Sequence, residues 1–172
     1  MGILNVTPDS FSDGGKFNQI DAALKHAEEM IRDGADVIDI GGESTRPWGY
    51  TKISDEEETD RVVPVIEAVK KEFGIPISVD TYKSGVAEAA AQAGADLIND
   101  IWGLKYDARM AEVIAKSGLA CCLMHNRDNA EYRNFMEDMK QDLWETIALA
   151  KAAGIADDKI ILDPGVGFAK SY

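Results

Sequence analysis

Residues 20–47 read IDAALKHAEEMIRDGADVIDIGGESTRP, and they contain the unit from which the whole chain is built. Ala23, Leu24, Ala27, Met30 and Ile31 recur at helical spacing, so the stretch 20–33 is predicted to be a helix with one apolar stripe. Gly34 closes it, because a helix commonly ends on a residue in the left-handed region. Ala35–Ile40 follows as a buried strand. It stops abruptly at Gly41, Gly42, Glu43, Ser44, Thr45, Arg46 and Pro47, a polar loop on a fixed strand end.

The same unit appears on both sides. Toward the N-terminus, Gly2–Val6 is a short strand that breaks at Asn5, Thr7, Pro8 and Asp9; Ser10, Phe11, Ser12 and Asp13 then lead to a Gly-Gly turn. Toward the C-terminus, Ser54 opens a second helix with Glu57 as its capping-box partner. Val62, Val65, Ile66, Val69 and Phe73 form its inner side, and Pro64 inside that pattern predicts a kink or a break. Strands are expected at Ile75–Val79 (tip Asp80, Thr81), Ala95–Ile98 (tip Asn99, Asp100), Leu119–Met124 (tip His125) and Ile160–Leu162 (tip Asp163-Pro164-Gly165-Val166-Gly167-Phe168). Helices at Ser84–Ala93, Ala108–Lys116 and about 130–153 separate them, the last with Phe135, Met139, Leu143 and Ile147 at i, i+4 spacing.

Continuous apolar strands alternating with helices mean parallel strands covered on both faces. An open doubly wound sheet gathers its ligand residues at one crevice. Here every strand ends in a polar cluster, which fits a (β/α)8 TIM barrel, where all C-terminal ends face one mouth. Six strands are legible, and a full barrel takes about 250 residues. The expectation is therefore a single domain over 1–172 that is an incomplete barrel of about six βα units, cut at the start of strand 1 and at the C-terminus.

The net charge of −13 argues against nucleic acid and anionic membrane surfaces as partners. No apolar run reaches transmembrane length, and no signal peptide is visible. Cys121 and Cys122 are adjacent in one strand and point to opposite faces, so they are poorly placed to pair; they suit a reducing cytoplasm.

The tip inventory is Asn5, Asp9, Glu43, Thr45, Arg46, Asp80, Asn99, His125 and Asp163. Singly, each could cap a helix or close a turn. Together they make an acceptor-rich mouth suited to a heterocycle with N–H and amide edges. Gly41-Gly42 and Gly165-x-Gly167 are read as tight turns at the mouth rather than phosphate cradles. The acidic run Asp55–Glu58 is read as a solvated first turn that matches the helix dipole.

The segments GILNVTPDSFSDGG (2–15), DIGGESTRP (39–47), SVDTYK (78–83), INDIWG (98–103), LMH (123–125) and DPGVGF (163–168) resemble the dihydropteroate synthase family, in order and across nearly the whole chain. The resemblance implies a pterin-binding TIM barrel. It also implies condensation of 6-hydroxymethyl-7,8-dihydropterin pyrophosphate with p-aminobenzoate, a folate-synthesis step inhibited by sulfonamides. By the same resemblance, Asn5 would help hold Mg²⁺, while Asp80, Asn99 and Asp163 would hydrogen-bond the pterin and Met124 would pack along its ring. Thr45 and Arg46 would contact the pyrophosphate or steady the loop over it. Phe11, Pro47 and Phe168 would shape the p-aminobenzoate slot, and Asp9 would act from the first loop. A homodimer is implied for the full-length protein.

Three residues depart from the family pattern: Trp48 before Gly49, Ala169 where glycine is usual, and Asn126 after the histidine. The family's later lysine and Arg-x-His are expected beyond residue 172, which predicts little or no catalysis by this chain alone. The competing readings are a pterin-binding methyltransferase domain and a non-catalytic pterin-binding fragment.

Overall fold

The structure, a computed structural model, describes residues 1–7, 16–44 and 52–170. Among these residues six strands alternate with five α-helices: β1 (Gly2–Asn5), α1 (Lys16–Arg32), β2 (Ile38–Gly41), α2 (Asp55–Phe73), β3 (Ile77–Asp80), α3 (Ser84–Ala93), β4 (Leu97–Asp100), α4 (Met110–Ser117), β5 (Ala120–Met124), α5 (Phe135–Ala153) and β6 (Ile160–Asp163). All neighbouring strands are parallel, and the order is β1-β2-β3-β4-β5-β6. A doubly wound sheet reverses its strand order at a switch point, whereas an unbroken sequential order is the winding of a TIM barrel. The chain is therefore a partial barrel of that type. Among the described residues no helix is long and apolar enough to cross a membrane.

The core lies between strands and helices. Leu4, Ile38, Ile40, Ile77, Val79, Ile98, Cys121 and Leu123 are buried there against Ala23, Ala27, Val62, Ile66, Val69, Val86, Ala90 and Ile114. Fully burying one such aliphatic side chain contributes about 1.5–3 kcal/mol. The expected apolar stripe of the first helix is met: Ala23 and Ala27 are buried, and Leu24, Met30 and Ile31 pack against them.

The strands differ from their sequence reading in one respect that matters for the site. They are not apolar on both faces. Successive residues alternate, so Asp39 and Ser78 sit between buried aliphatics and point to the barrel interior. Ile3, on the same inner side of β1, is 62% exposed. β3 and β4 also run one and two residues further than expected, so Asp80, Asn99 and Asp100 lie within them rather than beyond them.

Two helices depart from expectation. Pro64 neither breaks nor ends α2, which runs unbroken from Asp55 to Phe73. The proline forfeits one backbone bond at a cost of about 3 kcal/mol. Burial of Val62, Val65, Ile66 and Val69 on both sides of it offsets that loss. Ser54 does cap α2, its Oγ accepting from the Glu57 amide at 3.1 Å. In α5 the buried residues are Thr146 and Ala150, not the expected stripe; Phe135 is 43% exposed. Thr146 is held there by donating to the Gly103 carbonyl at 3.2 Å.

Candidate active site

The strand register assembles the site. Asn5, Gly41, Asp80 and Asn99 occupy one row across β1, β2, β3 and β4. Gly41 lacks the side chain that would fill this row. A Cβ there would lie 3.5 Å from Asp80 Cβ and 3.7 Å from Asn5 Oδ1, so those two side chains flank an open slot. On the far side, Met124 pairs in register with Asp163. Met124 is buried in a small cluster with Tyr82 and Ile101, against which Trp102 and Phe168 pack. The structure thus gathers Asn5, Asp80, Asn99, Met124, Asp163 and Phe168 at one end of the strands. Asp9, Phe11, Thr45, Arg46, Pro47 and Trp48 lie outside the described residues.

Beneath the row lies Asp39, which sequence reasoning passed over as part of a buried strand. Its Oδ1 accepts from Ser78 Oγ at 2.5 Å, and its Oδ2 faces Asn99 Nδ2 at 3.4 Å. Burial outweighs these bonds and raises its carboxyl above the usual carboxylate range. The contact fixes which end of the Asn99 amide turns inward. The alternation Ile38-Asp39-Ile40 was the available signal, since a lone acid between aliphatics on a strand must face something polar.

Two tip residues serve the scaffold instead of the mouth. Glu43 is buried; its Oε2 takes the Lys83 ammonium at 2.8 Å and the Ile53 amide at 2.9 Å, and Tyr82 donates its hydroxyl to Oε1. Lys83 Nζ also donates to Glu58 Oε2 at 2.6 Å and to the Ile53 carbonyl at 2.8 Å. Glu58 is 1% exposed, so the acidic run at 55–58 is not wholly solvated: its last member turns into the core to meet Lys83. Burial pushes the Glu43 carboxyl up, but the Lys83, Tyr82 and Ile53 donors outweigh it and hold it low. Glu58 has fewer donors, so burial prevails and raises it. No spacing in the sequence pairs Glu43 with Lys83; only the fold brings them together.

The second is His125, whose imidazole is buried beside Asp142 at 2.9 Å. Asp100 likewise builds its own loop, accepting from the amides of Trp102 at 2.8 Å and Leu104 at 2.7 Å. Burial raises its carboxyl to about 6 despite those bonds. Asp163 Oδ1 accepts from the Gly165 amide at 2.7 Å, shaping the turn after β6. Ala169 has φ +44°, which explains why its place in the turn favours glycine. Cys121 and Cys122 are both free, one in the core and one half-buried, as their opposite faces require. Burial pushes their thiols up to about 12 and about 11.

A barrel mouth floored by carboxylates and amides on adjacent strands, with a Met–aromatic wall, has the chemistry to receive a flat heterocycle that offers N–H edges. Residues 1–172 match the family described as pterin binding enzyme, and the chain belongs to that family. It is 66% identical over 172 residues to the dihydropteroate synthase of Clostridium beijerinckii, covering all of this chain and 64% of that protein. The dihydropteroate synthase of Clostridium difficile, solved in the presence of pteroic acid, superposes with a TM-score of 0.96 at 52% identity, over 99% of this chain and 65% of that one. The Xanthomonas albilineans enzyme with 4-aminobenzoic acid gives 0.91 at 44% identity, over 99% and 62%. The chain thus spans somewhat less than two thirds of the length of these relatives.

Proposed function

We propose that this chain carries the pterin floor of a dihydropteroate synthase. That enzyme joins 6-hydroxymethyl-7,8-dihydropterin pyrophosphate to p-aminobenzoate, giving 7,8-dihydropteroate and pyrophosphate. The carrying observation is the register row of Asn5, Gly41, Asp80 and Asn99, closed on its far side by Met124, Asp163 and Phe168. Two of its relatives of known structure were solved in the presence of pteroic acid and with 4-aminobenzoic acid.

In the reaction a C–N bond forms between the arylamine and the pterin methylene as the C–O bond to pyrophosphate breaks, and the amine releases a proton. Positive charge develops on the methylene and the ring. Asp80 and Asp163 stabilise that charge, and Asn99, oriented by Asp39, reads the ring edge. Met124 and Phe168 pack the ring and exclude water, which an uncharged nucleophile needs more than a strong base.

Asn5 supplies a hard oxygen donor at the edge of the row, which suits Mg²⁺ completed by water and phosphate oxygens. Among the described residues no three His, Cys, Asp or Glu side chains gather to hold a metal alone. Mg²⁺ bound there supplies charge neutralisation on the departing pyrophosphate. Asp9, Thr45, Arg46, Phe11 and Pro47 complete this reading on the pyrophosphate and p-aminobenzoate side. Sulfonamides as competitors of p-aminobenzoate, a cytoplasmic setting for the two free thiols and a homodimer of the full-length enzyme belong to the same proposal.

Pteroic acid titrated against the chain by isothermal calorimetry tests the floor. Asp80→Ala and Asn99→Ala each weaken binding by roughly ten- to a hundredfold, the loss of one buried hydrogen-bonded partner. Unchanged affinity in both overturns the assignment. Pyrophosphate release that depends on p-aminobenzoate tests the reaction; methyltetrahydrofolate binding without such release points to methyl transfer instead.

A further inference from the structure

The tips of β5 and β6 are tied together by a hydrogen-bonded chain that the proposed reaction does not use. His125 Nε2 lies 2.9 Å from Asp142 Oδ2, on α5. His125 Nδ1 lies 3.1 Å from Lys170 Nζ, in the loop after β6. Lys170 Nζ also donates to the Phe168 carbonyl at 2.8 Å and to the His125 carbonyl at 3.4 Å. Asp142 Oδ2 takes a second donor, Arg127 Nε, at 2.6 Å.

The chemistry of the partners fixes the proton. An ammonium has only N–H groups to give, so Nδ1 is the acceptor. Nε2 then carries the hydrogen and donates it to Asp142. The imidazole is neutral and locked in one tautomer. A proton on Nδ1 would set an N–H against the Lys170 ammonium and remove that bond.

The groups facing the ring are Asp142 from α5, Arg127 and the Tyr132 ring from the loop after β5, and Lys170 from the loop after β6, whose ammonium burial and Arg127 hold below the usual lysine value against the field of Asp163. Burial, with the charges of Lys170 and Arg127, outweighs Asp142 and holds the imidazole below its usual 6.5.

Lys170 is also a strut of its own loop. Phe168, whose carbonyl it holds, packs on the cluster of Met124, Tyr82 and Ile101. Tyr132 adds a bond from its hydroxyl to the Ala169 carbonyl at 2.8 Å. Gly165 brings the two tips together: a Cβ there would collide with the His125 carbonyl oxygen and come within 3.0 Å of Met124 Cγ.

We propose that His125 is a positioning residue: as the neutral Nε2–H tautomer it holds, through Lys170, the loop 164–170 and with it Phe168 against Met124, and it releases that loop on taking up a proton. Its consequence for ligand binding rests on reading this cluster as the pterin wall.

The chain has two histidines, so in the His26→Gln background ¹⁵N-imidazole NMR sees His125 alone. Near neutral pH the expected spectrum shows a protonated Nε2 and a bare Nδ1. On acidification the backbone amides of Phe168, Ala169 and Lys170 shift with the imidazole. Pteroic acid affinity falls by roughly tenfold per pH unit below that titration, as the competent fraction falls. His125→Asn, which keeps an acceptor near the place of Nδ1, holds its affinity and loses the imidazole's step in the pH profile. His125→Leu binds weakly at every pH.

The Nδ1–H tautomer, or loop amides that ignore the His125 titration, overturns the proposal. If loop and imidazole titrate together but pteroic acid binds at no pH, the coupling stands and the pterin reading falls.

Discussion

Two buried hubs, one after β3 and one after β5, tie loops to this barrel by opposite electrostatic means. Lys83 sits between two carboxylates and a carbonyl, and those partners outweigh burial to raise its ammonium above the usual lysine value. His125 sits between one carboxylate and two cations, and burial there prevails to keep it neutral. Each hub is about equally inaccessible; what differs is the sign of the surroundings. The lysine hub therefore keeps its charge across the physiological range. The histidine hub is confined to a protonation state that acid can reverse. Because the folded imidazole value is depressed, the unfolded chain binds the extra proton first as pH falls below 6.5. Stability therefore drops between 6.5 and the folded value and is present above that window.

The largest effect is expected at Lys83→Met. It leaves Glu43 and Glu58 buried together without their cation, at a cost of about 3–5 kcal/mol in urea unfolding. A loss under about 1 kcal/mol would show that the lysine hub contributes no more than a surface ion pair.

Gly165→Ala strikes the other hub. The new methyl meets the His125 carbonyl oxygen at a left-handed backbone position (φ +65°). Strain and overpacking together destabilise by about 3 kcal/mol. If the chain still folds, the His125–Lys170 bond should be lost, read from the imidazole spectrum of the variant. A wild-type spectrum in that variant would mean the two tips do not depend on their close approach.

The smallest effect is expected at Ala169→Gly. Relief of its left-handed conformation against the added freedom of the unfolded chain gives stabilisation of at most about 1 kcal/mol in thermal unfolding. Destabilisation there would show that the alanine methyl packs usefully beside Lys170.

The two hubs also mark how far the sequence could be read. The β5–β6 hub was half visible: His125 stood out at a strand tip, and Ala169 stood out where glycine is usual. Its partner Asp142 was hidden, a helix residue 17 positions on with no distinctive spacing. The lysine hub was invisible, because Glu43 and Lys83 are 40 positions apart on separate loops. Glu58 read as one of four acids in an exposed first turn. Pro64 misled for a related reason: the local rule against proline in a helix was correct, and the aliphatic face around it was stronger.

The strand count and the parallel barrel winding were legible in the amino-acid sequence from periodicity and strand-end breaks, which are local properties of the chain. The strand-end motifs carried the resemblance to the family and, through it, named Asn5, Asp80, Asn99, Met124, Asp163 and Phe168 as the proposed floor. The polar inner face of the strands, the contact by which Asp39 orients Asn99, and the place of Glu43 and His125 in the scaffold emerge with the folded chain alone. Direction across a curved parallel sheet and the charge environment of a buried group are set by neighbours distant in sequence, so no local pattern can encode them.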